Sequence, residues 1–108
     1  LVDFSHVPVV KRLTRMPVCV DPSHSVGSRE RAPDGLLDLM HATAQGVAAG
    51  ANMVLVDFHP APAKALVDGP QALLMNELDW FLGDVALARE CYEKRQILAE
   101  RQRSGQRL

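Results

Sequence analysis

Met53 to Val56 is an apolar run too short for a buried helix and the right length for a strand covered on both faces. The run ends on a carboxylate, Asp57, with His59 two residues later and Pro60 and Pro62 directly behind it. Proline has no backbone N–H to donate and resists both continued pairing and helix interior positions, so the chain must leave the sheet there. A second acid, Asp68, follows in a Val-Asp-Gly turn. A buried parallel strand that delivers an acid and a histidine to its carboxyl end is the usual address of chemistry in an α/β protein.

The remaining segments read as a scaffold around that point. Leu1 to Phe4 has the character of a strand end. Val7 to Thr14 fits a short helix with Pro8 in its first turn, where a missing N–H costs nothing, and with Val9, Val10 and Leu13 as its buried stripe. Pro17 to Val20 is a second Val-rich strand, closed by Asp21-Pro22-Ser23-His24. Ser25 to Arg31 is a polar loop. Pro33 and Asp34 then open a helix with Leu36, Leu37, Met40, Ala44, Val47 and Ala48 on one face, stopped by Gly50. Asn76 is the expected N-cap of a last helix, with Met75 and Trp80 as its staple and Leu78, Phe81, Leu82 and Val85 facing inward. From Glu90 to Leu108 the pattern is charged, as in a solvated helix and tail.

Strand, helix, strand, helix, strand, helix with short connections means βαβ units and a parallel sheet. Three strands would leave open edges and bury little, so the pattern fits part of a larger barrel or open sheet better than a whole small domain. The chain also begins on Leu1, inside an apolar segment, which leads us to expect a fragment with an upstream part.

Composition narrows the function. At 108 residues there is room for one domain, and 47% hydrophobic with 23% charged residues is ordinary for a globular protein. A net charge of −1, with Lys and Arg scattered among acids, leaves no footprint for nucleic acid. No apolar run approaches the ~20 residues of a membrane span. Cys19 and Cys91 form neither a disulfide framework nor a metal-binding spacing, so a cytoplasmic setting is expected and Cys19 is expected in the core.

Several side chains are candidates for chemistry. His24 and Asp57 follow the ends of consecutive strands, and parallel pairing would put them on one rim. Alternation turns Val54 and Val56 towards the helices and leaves Met53, Leu55 and Asp57 on the opposite face. An imidazole and a carboxylate on one rim suit a divalent cation such as Mn²⁺, Fe²⁺ or Zn²⁺. The plainer alternative is that Asp57 caps a turn and His24 bonds a carbonyl. Asp68, before Gly69, has the plain role of a turn-former. Arg29 and Arg31, beside Ser28 and a helix start, suit a phosphate or simply a solvated loop. A histidine placed like His59 more often supports its neighbours than binds the ion itself. His6 and His41 read as surface or interface residues, and Lys64 as an exposed loop lysine, the alternative being that it points at an anion.

The motifs Asp21-Pro22-Ser23-His24, Val56-Asp57-Phe58-His59-Pro60 and Lys64-Ala65-Leu66-Val67-Asp68-Gly69-Pro70-Gln71, in this order, resemble the closing segments of 3-deoxy-7-phosphoheptulonate (DAHP) synthases. The smaller bacterial subtype is the nearest in pattern. Its Leu-Asp-x-Ser-x-x-Pro segment is similar to the opening of this chain at Asp3, Ser5 and Pro8. The likeness runs to about Phe81.

The resemblance implies the C-terminal part of a TIM (β/α)8 barrel, from the end of the sixth strand to the eighth helix. Residues 1–89 would form the barrel portion and residues 90–108 a charged helix and tail. It implies a transferase that condenses phosphoenolpyruvate with erythrose 4-phosphate, the first step of the shikimate route to aromatic amino acids. A divalent metal (Mn, Fe, Zn or Co) is held in that family by Cys, His, Glu and Asp. His24 falls on the histidine, Asp57 on the glutamate and Asp68 on the aspartate, which also lies near the aldose; Arg29 would meet substrate. The cysteine ligand and the Lys and Arg residues that grip phosphoenolpyruvate belong to upstream strands, and Cys19 does not match that cysteine. Asp57 is one methylene shorter than glutamate, so an oxygen ligand at about 2.0–2.2 Å needs a closer backbone or a bridging water. The segment between His24 and Asp57 is also longer than is usual in the family. Related 3-deoxy-octulosonate 8-phosphate synthases share the barrel, but read Asp-Ala-Thr-His where Pro22 and Ser23 stand here. A non-catalytic remnant or assembly module is the other alternative. The whole protein is expected to be a homo-oligomer, and these 108 residues alone to be inactive.

Overall fold

The computed structural model describes residues 4–22, 31–59 and 73–105. Its elements are α1 (His6–Thr14), β1 (Cys19–Val20), α2 (Asp38–Ala48), β2 (Met53–Val54), β3 (Phe58–His59), β4 (Leu73–Leu74) and α3 (Leu78–Arg103). Strand β1 pairs in parallel with β2, Cys19 against Met53 and Val20 against Val54. Strand β3 pairs in parallel with β4, Phe58 against Leu73 and His59 against Leu74. The expected alternation of helix and parallel strand is present, and β1–α2–β2 is a βαβ unit.

Helix α2 packs inward along Leu39, Met40, Ala42, Thr43, Gly46 and Val47. Leu39 and Met40 join Leu37, Leu73 and Phe81 in one buried cluster, with Val54, Val56 and Val85 packed on its margin. Val7, Val20 and Ala51 form a second cluster, bordered by Phe4, Val18 and Ala49 and again by Val54. Gly46 permits α2 to approach β1 closely, since a Cβ there would sit 3.0 Å from a methyl of Val20. Thr43, fully buried on the same helix, donates its hydroxyl to the Leu39 carbonyl at 2.7 Å, so its burial leaves no polar group unsatisfied.

Four details differ from the reading of the sequence. Helix α1 buries Val7, whereas Val9, Val10 and Leu13 are exposed, Leu13 by 76%. The Val7 side of α1 meets β1 and the start of β2, and the expected stripe is turned away from them. Cys19 is exposed rather than in the core, because Val20 takes the helix side of β1 and alternation puts its neighbour on the opposite face. Helix α2 begins at Asp38, not near Pro33. Asp34 accepts the Leu36 amide through Oδ1 at 3.0 Å and the Ala32 carbonyl accepts the Gly35 amide, so that stretch forms a turn instead of a first helical turn.

The fourth is the start of α3. Asn76 is not its cap. Met75–Glu77 is a 3₁₀ turn, and Glu77 reaches back to accept the Leu74 amide at 2.9 Å. Phe81 is buried as expected, while Leu82 is exposed. Past Arg89 the helix continues without interruption to Arg103, and its residues are exposed apart from a half-buried Tyr92.

Candidate active site

The carboxyl ends of β1 and β2 point the same way because the two strands are parallel. Val18 and Asn52 start the pairing with reciprocal bonds: the Asn52 amide donates to the Val18 carbonyl at 2.8 Å, and the Val18 amide to Asn52 Oδ1 at 3.1 Å. The Leu55 amide then donates to the Val20 carbonyl at 2.9 Å, so Asp21 and Pro22 emerge beside the Val56–Asp57 stretch. Val54 and Val56 pack against the helical core, whereas Met53 and Leu55 are 62% and 57% exposed on the other face. The alternation expected from the sequence is therefore observed along this strand. Asp57, next in the alternation on the open face, is half-buried.

A second pairing closes the same point from the far side. The Leu73 amide donates to the Asp57 carbonyl at 2.9 Å, and β3 pairs with β4 immediately beyond. His59 and Leu73, which flank residues 60–72, thus lie on neighbouring paired strands just beyond Asp57. His24, Arg29, Asp68 and Lys64 lie outside the described residues, as does the side chain of His59. Among the described residues, no group of three His, Cys, Asp or Glu side chains is placed to hold a metal ion. Of the expected ligand set, the described residues contain Asp57 alone, at the carboxyl side of β2. Its oxygen donor and its place fit a hard divalent cation.

Other polar groups make contacts that spacing did not foretell. His41 Nε2 lies 2.7 Å from Asp34 Oδ2, with both side chains about half exposed. The amide of Leu36 lowers the pKa of Asp34, aided by His41. Burial raises the pKa of Asp84, opposed by the nearby His41. Arg31 stacks over Trp80, its guanidinium carbon 5.7 Å from the ring centroid, so one of the two arginines considered for phosphate has an aromatic partner. Apart from the Asp34–Leu36 turn, these contacts join residues seven or more positions apart, and only the Asp34–His41 spacing, two helical turns, is suggestive in hindsight. The groove of about 450 Å³ between β2 and α3 is lined by Val47, Met53, Val54, Phe81, Leu82 and Val85 among others, and offers packing rather than chemistry.

A βαβ unit with an acid at the shared carboxyl edge is the signature of an α/β protein that works at the ends of its strands. Comparison with known proteins makes the assignment specific. Residues 1–89 match the family model described as "DAHP synthetase I family", and the chain belongs to that family. It is 42% identical over 71 residues to the phospho-2-dehydro-3-deoxyheptonate aldolase of Thermotoga maritima, covering 66% of this chain and 19% of that protein. It is 32% identical over 94 residues to the 2-dehydro-3-deoxyphosphooctonate aldolase of Desulfosudis oleivorans, covering 83% of this chain and 34% of that one. The chain therefore spans about a fifth to a third of the length of these curated relatives. Among solved structures, a truncated form of 3-deoxy-D-arabino-heptulosonate 7-phosphate synthase from T. maritima superposes with a TM-score of 0.56 at 32% identity, over 92% of this chain and 31% of that one. Among the described residues no helix is long and apolar enough to cross a membrane.

Proposed function

We propose that this chain is the C-terminal part of a (β/α)8 DAHP synthase of the smaller bacterial subtype, working in the cytoplasm as part of a homo-oligomer. The whole protein condenses phosphoenolpyruvate with erythrose 4-phosphate at the entry to the shikimate pathway. The observation that supports this reading is the family match over residues 1–89, which spans His24, Asp57 and Asp68, together with the parallel β1–β2 pairing that brings the strand end after Val20 beside the one that carries Asp57.

His24, Asp57 and Asp68 would hold a divalent cation, one of Mn, Fe, Zn or Co. When bound, such an ion supplies Lewis-acid polarisation of the aldehyde carbonyl. Asp57, on its shorter side chain, keeps a carboxylate at the strand end. Asp68 orients the aldose. Arg29 is the anion partner for a substrate phosphate. The carbon–carbon bond forms between the methylene carbon of phosphoenolpyruvate and the aldehyde carbon, so holding the two substrates in register is the main task of the protein groups.

The octonate aldolase relatives support a second reading. An eight-carbon product requires a five-carbon aldose phosphate where a seven-carbon product requires a four-carbon one. Pro22 and Ser23 favour the latter. The test is consumption of phosphoenolpyruvate with Mn²⁺ by the polypeptide completed with its upstream barrel strands. Consumption dependent on erythrose 4-phosphate is expected. Dependence on a five-carbon aldose phosphate would select the second reading, and no aldose-dependent consumption rejects both.

A further inference from the structure

The family match ends at residue 89, but α3 runs on to Arg103, and the first turns of this extension lie against the end of α2. Helix α2 has no basic residue in its last turn to offset the partial negative charge of its carbonyl end. Two cations from elsewhere do so. Lys11 Nζ donates to the Gly50 carbonyl at 2.8 Å, and Arg95 Nη1 donates to the Ala48 carbonyl at 3.0 Å. Between them lies Tyr92, its ring so close to Gly50 that a Cβ there would sit 3.0 Å from Cε1. Lys11 and Arg89 flank that ring at 5.5 and 5.1 Å from its centroid. Gln96 donates to the tyrosine hydroxyl at 3.1 Å.

Gly50 is where α2 becomes β2. The Ala51 amide donates to the Gly46 carbonyl, and the Asn52 and Met53 amides both reach the Val18 carbonyl. The place of Gly50 therefore sets the register in which β2 enters beside β1. A shift of one residue in a strand exchanges its two faces, and Asp57 would exchange with Val56.

We propose that Tyr92 and Arg95 are positioning residues: the helical extension beyond the family match clamps the α2–β2 turn and so fixes the face on which Asp57 is presented. The part of this that concerns Asp57 rests on the functional reading above, whereas the clamp itself does not. Hydrogen exchange of the complete protein tests it. Tyr92→Ala is expected to speed exchange at Ala51, Asn52 and Met53 by about tenfold relative to the amides of Phe81 to Val85, and Arg95→Gln by about threefold, while Tyr92→Phe matches the parent. Mn²⁺ affinity, read by calorimetry, is expected to fall in that same order. Uniform acceleration along the chain, as simple destabilisation produces, overturns the clamp, and so does no change. Local acceleration with unaltered Mn²⁺ affinity overturns the positioning role. Should Tyr92→Ala fail to fold, the exposed Arg95→Gln decides by the same criteria. If exchange shifts locally in a protein with no aldose-dependent turnover, the clamp stands and the functional reading falls.

Discussion

The Leu73 amide donates to the Asp57 carbonyl at 2.9 Å, joining two residues sixteen positions apart at the end of a parallel strand. This bond, with the β3–β4 pairing beyond it, sets β4 beside the strand end that carries Asp57. That anchoring is made by backbone atoms, so it is kept when the side chain at Asp57 is changed.

Asp57→Asn in the complete protein keeps the shape and removes the charge. Mn²⁺ affinity is expected to drop on the order of 100-fold, the upper end of what disturbing a metal site costs, while the melting temperature without metal stays within a few degrees. Calorimetric titration checks the first and circular dichroism the second. Unchanged affinity would remove Asp57 from the ligand set.

Phe81→Ala should be the costliest single change in the helical core. Phe81 is 3% exposed and joins α3 to Leu37, Met40 and Leu73. Truncating such a ring loses about 3–5 kcal/mol through lost transfer energy and the cavity left behind. Chemical denaturation of the complete protein measures it. A loss below about 1 kcal/mol, the scale of an ordinary surface change, would mean that α2 and α3 are held together elsewhere.

Gly50→Ala tests the turn from α2 into β2. The backbone there has φ +108°, and an added Cβ meets the Tyr92 ring. The left-handed conformation alone costs an L residue about 1–2 kcal/mol, and the contact adds to it. A fall in melting temperature is expected, partly recovered in the Gly50→Ala, Tyr92→Ala double variant. Strict additivity of the two changes would separate strain from contact and assign the whole effect to backbone conformation.

The two perturbed acids predict opposite pH behaviour. Asp84 has its pKa raised above the ordinary 3.8 by burial. The folded state then binds its proton more tightly than the unfolded state, and stability declines as pH rises through that window. Asp84→Asn should therefore raise the melting temperature at pH 7 and bring no gain at pH 3. Asp34 is lowered from 3.8, chiefly by the Leu36 amide. Its contribution is present above that value and lost as pH falls through the folded pKa, so Asp34→Asn should lower stability at pH 7 and not at pH 2. Paired thermal melts across pH 2–7 decide both signs.

The alternation of short Val-rich runs with helical stretches was enough to assign parallel α/β structure, and the period of two along Met53 to Asp57 assigned each side chain to a face. Both follow from local rules: backbone hydrogen-bonding needs and the pleat of a strand. The order of three motifs was enough to suggest the family. What the tertiary structure decided is where each amphipathic segment finds its partner. Val7 rather than Leu13 is buried on α1, Cys19 is exposed, and Asp34 makes a turn in place of a helix start, because packing and hydrogen-bond competition choose among faces that sequence leaves equivalent. The cations that complete the end of α2 come from Lys11 and Arg95, 39 and 47 positions from the carbonyls they meet. No window along the chain contains such a pair, and only folding brings opposite partial charges close enough to matter.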